Sequence, residues 1–345
     1  MSSPKPFEIS KQVVYEAYLK VKANGGAAGV DRQSMAQFAA QPALEVWYAR
    51  AELQPGLPRL STALPKAARA TTRKVVSKSR QKDAAHAVAK LTTPEFGQRR
   101  FVSEPPILVP VRELAPELAD DLTKLLDVLL VQYRESLQPD RRVLVDRFQV
   151  VDMARKAVGV GSVGTRAWLL LLVDELGNPL LLQAKEATES VLAAHLPWPP
   201  LDNQGRRVVE GQRLMQASSD ILLGWQHVTG IDGVERDFYV RQFRDWKGGY
   251  EIETLDEATL ALLGQACAWT LARAHARSGD PRDIALYLGT PPGPAPEDGA
   301  ADGPGGAFDE AVADFAVAYA DQNERDHAEL VAAVESGRLP ASANL

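Results

Sequence analysis

The chain has 345 residues, 45% hydrophobic and 24% charged, with a formal net charge of −6, enough length and apolar content to bury a substantial core in two lobes or domains. The acidic balance argues against nucleic-acid binding by overall charge, and the single cysteine, Cys267, excludes a disulfide framework or a cysteine-rich zinc site. No apolar run is long enough to span a bilayer, and the start, MSSPKPFEIS, lacks the charged-then-apolar order of a secretory signal, so a cytoplasmic protein without a membrane partner is expected.

The first forty residues differ from the rest. Ser10 is placed to cap a helix over residues 11–23, which Asn24-Gly25-Gly26 stops. Residues 5–40, with GAAGVD at 26–31, resemble the N-terminal segment of group II intron reverse transcriptases. That family's chemistry needs paired metal-binding aspartates, and Tyr319-Ala320-Asp321-Gln322 supplies one of the two, in a helical pattern rather than a hairpin. Residues 66–90 then carry a basic block including Lys66, Arg69, Arg73, Lys74 and Lys78. No aromatic side chains are interleaved for stacking on bases. A solvated helix face is therefore preferred to contact with phosphates. Residues 116–136 form a clear amphipathic helix, with Leu118, Leu122, Leu125, Leu126, Leu129 and Tyr133 at helical spacing.

Residues 157–187 carry the densest pattern. Gly159, Gly161 and Gly164 stand at G-x-G-x-x-G spacing, with Ser162 among them. A Rossmann fingerprint would continue into a helix, but residues 166–173 are leucine-rich and end at the turn signal Gly177-Asn178-Pro179. A Walker A loop would end in Gly-Lys-Ser/Thr, where this chain has Gly164-Thr165-Arg166. A kinase-type glycine loop remains: strand, glycines, strand, turn, strand with an inward lysine. The strands fall at 156–160, 166–173 and 180–187. Lys185 would meet the phosphates of a nucleotide while loop amides cover them. The competing reading is a buried hairpin whose glycines serve tight turning, with Lys185 on a solvated edge.

A helix follows over 207–225, in which Glu210 shares a stripe with Leu214, Ala217, Ile221 and Trp225. A carboxylate on such a stripe needs a partner, and Lys185 is one; placement in the first turn, favoured by the helix dipole, is the other explanation. Residues 238–243 have strand character. Residues 256–278 form a long helix with Leu260, Leu263, Cys267, Leu271 and Ala274 inward, making Cys267 a buried structural thiol, and His275 lies near its end as a packed or capping residue. Residues 291–306 are a proline/glycine-rich linker, expected to be disordered. Residues 308–337 resume as helix anchored by Phe315, Tyr319, Leu330 and Val334.

From about residue 42 to the end, the chain resembles the bacterial domain of unknown function 2252 family. The matching pieces are KAVGVGSVGTR, LLLQAKEA, NQGRRVVEGQRLMQASSDILLGW, FYVRQFRDWKG, LARAHARSGD and FAVAYADQNERDH. The resemblance implies a fold related to protein kinases and aminoglycoside phosphotransferases. It also implies a Gly-Asp-x-His-x-x-Asn loop and an Asp-Phe-Asp element toward the N-terminus, which this chain does not carry. Gly279-Asp280 is the nearest substitute, with Asp280 as candidate catalytic base, and no metal ligands are assigned. The expectation is thus an α+β protein: a kinase-like small lobe of antiparallel sheet plus helix over 141–250, a helical segment with the basic block over 42–140, a helical segment over 251–345, and an incomplete large lobe. Gly159, Gly161, Ser162, Gly164, Lys185 and Glu210 would bind ATP or another nucleotide with Mg²⁺, and phosphoryl transfer is not expected. The alternatives are a non-enzymatic protein that binds a partner or its own copy through an exposed apolar surface, and an RNA-associated role for residues 5–40.

Overall fold

The computed structural model describes residues 84–95, 97–118, 122–157, 164–195, 201–243, 249–288 and 307–341, with 74, 75 and 77. Residues 5–40, most of the basic block and the proline/glycine linker lie outside them. The chain divides into two compact units, one from residues 76–213 and 218–248, the other from 1–75, 214–217 and 249–344.

In the first unit, helix α1 (Ala84–Leu91) leads into a small hairpin, β1 (Thr92–Glu95) and β2 (Gln98–Phe101). Then come β3 (Leu108–Pro110), the one-turn α2 (Val111–Leu114), α3 (Leu122–Glu135) and α4 (Pro139–Val145). The main sheet continues with β4 (Phe148–Lys156), β5 (Ala167–Asp174) and β6 (Pro179–Ala187), then α5 (Gln204–Met215), β7 (Gly224–Thr229) and β8 (Glu235–Gln242). Its six strands lie in the order β3-β4-β5-β6-β8-β7, every neighbouring pair antiparallel.

The leucine runs of β5 and β6 are continuous rather than alternating because both faces of the sheet are covered. Leu170, Leu172, Leu180 and Leu182 pack with Leu129 and Tyr133 of α3 on one face. Leu169, Leu171 and Leu181 pack with Ala87, Val88 and Leu91 of α1 and Phe101 of β2 on the other. Each fully buried leucine contributes about 1.5–3 kcal/mol, so these two strands hold the unit together from both sides. The β5–β6 turn forms where the glycine-asparagine-proline signal stands. Asp174 Oδ1 accepts from the amides of Leu176 at 2.9 Å and Asn178 at 2.7 Å, and Gly177 takes φ +80°, a conformation glycine adopts without a Cβ penalty.

Two buried polar groups tie the outer layers down. Asp152 is fully buried where the β4–β5 register shifts, and it accepts from Phe101 N at 2.7 Å and Arg112 Nη1 at 3.0 Å. Burial raises its carboxyl above the ordinary range despite those donors. Arg112 Nη2 also donates to Phe101 O at 2.8 Å, so one carboxylate and one guanidinium clasp the β1–β2 hairpin against β4. On the α3 side, the Tyr133 hydroxyl donates to Leu222 O, and Ser136 Oγ accepts from Trp225 N at 2.8 Å. A Cβ on Gly224 would meet Ser136 Oγ at 2.5 Å and Tyr133 Cε2 at 2.8 Å, so a close approach of strand to helix explains this glycine. Burial pushes the Tyr133 phenol up.

The structure corrects two boundaries. The strand expected at 156–160 is described as Phe148–Lys156, so it begins eight residues earlier, and residues 158–160 lie outside the described residues. The helix expected over 207–225 ends at Met215, and Trp225 belongs to β7. It ends there because Asp220 organises a turn, accepting from Leu222 N at 2.8 Å and from Gln242 N of β8 at 2.7 Å, which swings the chain into the sheet. Of the residues expected inward from α3, Leu129 and Tyr133 are buried.

The second unit contains α6 (Glu257–Ser278), α7 (Pro281–Tyr287) and α8 (Ala307–Glu335). Asp256 caps α6 by accepting from Thr259 N at 2.7 Å. The inward set differs from the expected one: Thr259, Trp269, Ala272 and Arg273 are buried, whereas Cys267 and His275 are exposed and Leu271 is 58% exposed. Cys267 is therefore not a buried thiol. In α8 the expected anchors Phe315, Tyr319, Leu330 and Val334 are all exposed, and Ala333 is the buried position among the described residues. Phe315 and Tyr319 stack on each other at 5.5 Å. Tyr319 and Asp321 lie within α8, in helix and not in a hairpin. Among the described residues, no helix is long and apolar enough to cross a membrane.

Candidate functional site

Gly159, Gly161 and Ser162 lie outside the described residues, and Gly164 is the described end of the glycine segment. Its φ is +89°, and a Cβ there would meet nothing within 4 Å. Conformation, not space, calls for glycine at this position. Three residues on, Ala167 begins β5 and stands opposite Lys185 of β6.

Lys185 is half-buried. Register places it beside Ala167 on one side and Tyr239 of β8 on the other, and Tyr239 in turn pairs with Trp225 of β7. Directly opposed residues share a face, so Lys185, Tyr239 and Trp225 form a row across three strands. Helix α5 lies on this same face: the guanidiniums of Arg206 and Arg213 sit 6.0 and 5.7 Å from the Trp225 ring centre. Burial pushes the Tyr239 phenol up and the Arg213 guanidinium down.

Glu210 has a different partner from the one expected. It is exposed and takes Arg206 Nε at 2.7 Å, an i,i+4 pair along α5, in place of Lys185. The helix begins at Gln204, so position 210 has left the first turn as well. Asp280 lies in the second unit, where its carboxylate accepts from Arg282 N at 2.8 Å and caps α7. The structure therefore gathers Gly164 and Lys185 at one end of β5 and β6, and gives Glu210 and Asp280 local helical duties.

Two clusters at the same end of the sheet were not anticipated. Asp237 of β8 accepts from Gln204 N at 2.7 Å and Asn203 Nδ2 at 2.9 Å, while Asn203 Oδ1 accepts from Arg206 N at 2.8 Å. The first turn of α5 is thereby fastened to β8, and His227 Nδ1 lies 2.7 Å from Asp237 Oδ1. That contact, before all else, raises the imidazole above its ordinary value. The other cluster joins Arg166, Glu186, Asp232 and Arg236 in a closed ring of ion pairs of 2.7–3.5 Å. Arg236 hydrogen bonds hold the Asp232 carboxyl well below the usual range. Neither cluster has a motif signal, because its members are separated by up to 70 residues and meet only through sheet register.

The described residues place Lys185 on a partly enclosed face beside Tyr239 and Trp225, at the same end of the sheet as Gly164 with its left-handed backbone. Among them, no group of three or more His, Cys, Asp or Glu could hold a metal ion.

A family model described as an uncharacterized protein conserved in bacteria (DUF2252) matches residues 26–333. The match begins inside residues 5–40, which were expected to fall outside the family, sixteen residues or so before the boundary expected near 42. No curated protein and no solved structure matches the chain.

Proposed function

The chain belongs to the DUF2252 family, whose description assigns no activity, and we propose that its first unit binds a nucleotide, ATP with Mg²⁺ or a relative, in the manner of a protein-kinase small lobe. The observation that carries this reading is the connectivity of β4 to β8. The glycine segment joins the first and second of these strands, a lysine stands on the third, a helix follows it, and the last two strands close the sheet in the order β6-β8-β7. A kinase small lobe needs that succession to bring loop amides and lysine to one set of phosphates. The second support is that Lys185 shares its face with α5, the side from which a helix can shield a bound anion.

On this reading Lys185 holds the phosphates by charge and hydrogen bonding, and the amides near Gly164 cover them. The nucleotide supplies the charge to be recognised; the chain supplies position and exclusion of water. Glu210 and Asp280 take no part, since each is occupied within its own helix. The reading is therefore one of binding.

Thermal unfolding with Mg-ATP tests it. At a hundredfold excess over Kd, a ligand bound only by the folded state stabilises it by about 2.7 kcal/mol, seen as a rise in Tm of several degrees. Lys185→Ala should keep the ligand-free Tm and lose the rise. Equal responses from the two proteins, whether both positive or both absent, remove the proposal.

A further inference from the structure

Glu186 follows Lys185 in the chain, yet strand alternation turns it to the opposite face of β6. There it is almost enclosed, with 12% of its side chain exposed. Its Oε2 accepts from the backbone N of Arg166 at 2.9 Å and from Arg166 Nη1 at 3.3 Å. In return, Glu186 N donates to Arg166 O at 2.9 Å. Arg166 is thus held by backbone and side chain at once, two residues after Gly164. The other carboxylate oxygen lies 3.5 Å from Arg236 Nε. Asp232, in the β7–β8 turn, completes the ring with Arg236 Nη1 at 2.7 Å and Arg166 Nη2 at 3.2 Å.

An ordinary β-ladder would need only the Glu186 N to Arg166 O bond. The carboxylate adds a charge-assisted bond to the amide just outside the strand, where β5 has not yet begun. It also balances two guanidiniums that would otherwise repel each other at this corner. We infer that Glu186 is a positioning residue: it fixes the residues leaving the glycine segment, Gly164 to Arg166, in register with Lys185 on the reverse side of the same strand. The inference rests on the nucleotide reading for its consequence, and on geometry alone for the fixing itself.

Hydrogen–deuterium exchange on the full chain, without nucleotide, separates the two. Glu186→Gln keeps the size of the side chain and removes its charge. Peptides spanning 164–166 should exchange about tenfold faster or more, while those within 169–172 stay as in the wild type. Losing the charge lowers the ligand-free Tm, so Mg-ATP titration is read well below it, where the folded variant should still bind more weakly than the wild type, a loss that a merely structural role does not produce. If exchange at 164–166 is unchanged, the inference is wrong. If exchange quickens but Mg-ATP binds as tightly as before, Glu186 fastens the chain without positioning the site, and the inference is equally wrong. Should exchange quicken in a protein whose wild type binds no Mg-ATP, the fixing stands and the nucleotide reading fails. If Glu186→Gln does not fold, Asp232→Asn reports on the far side of the ring, with a smaller acceleration in the same peptides expected and none overturning the idea.

Discussion

At the scale of single residues, Asp152 is the most exposed to failure on substitution, because its environment is the least forgiving. It is ionisable, fully buried and met by two backbone amides and a guanidinium. Asp152→Ala leaves Arg112 and the Phe101 amide without their acceptor, a loss of about 3–5 kcal/mol for a broken buried pair. Urea unfolding should show it as a lowered midpoint at unchanged slope. His227 gives a pH signature of known sign. Its folded value is raised by Asp237, so the stabilisation is complete below the unfolded value of about 6.5 and fades as pH climbs through the folded one. With 54% of the side chain in water, the effect is small. Wild type should therefore lose slightly more urea resistance than His227→Gln between mildly acid and mildly alkaline pH; parallel profiles would count against the contact.

At the scale of elements, α5 is positioned by its beginning. Asp237 and Asn203 hold the first turn, and Gly205 lets the helix backbone press on β8: a Cβ there would stand 2.2 Å from Phe238 O. Gly205→Ala raises intrinsic helix propensity, yet here it should destabilise by about 1–3 kcal/mol through overpacking. A calorimetric Tm equal to or above wild type would show that α5 can slide off β8 without cost. Of the helix expected over 207–225, residues 207–215 are helical, although of its apolar stripe only Leu214 lies within it. Its end was not legible, since Trp225 fits the helical period and is withdrawn into β7 by a turn that Asp220 builds with a distant strand. The same limit applies to α6 and α8, where periodicity identified the helices but not the face each turns to water.

At the scale of the whole chain, the sequence by itself determined an α+β protein with an antiparallel leucine-rich sheet, a tight turn at Gly177, and long helices toward the C-terminus. These depend on neighbours within one or two turns of chain, where propensity and alternation act directly. It also singled out Lys185 and the glycine segment. Glu210 and Asp280 took local partners, four and two residues away, whereas tertiary structure alone decided the ring that joins Arg166 and Glu186 to Asp232 and Arg236. The reason is that strand order places β8 between β6 and β7. Charges some fifty or more residues apart thereby meet at one corner, and no local pattern encodes which of them will.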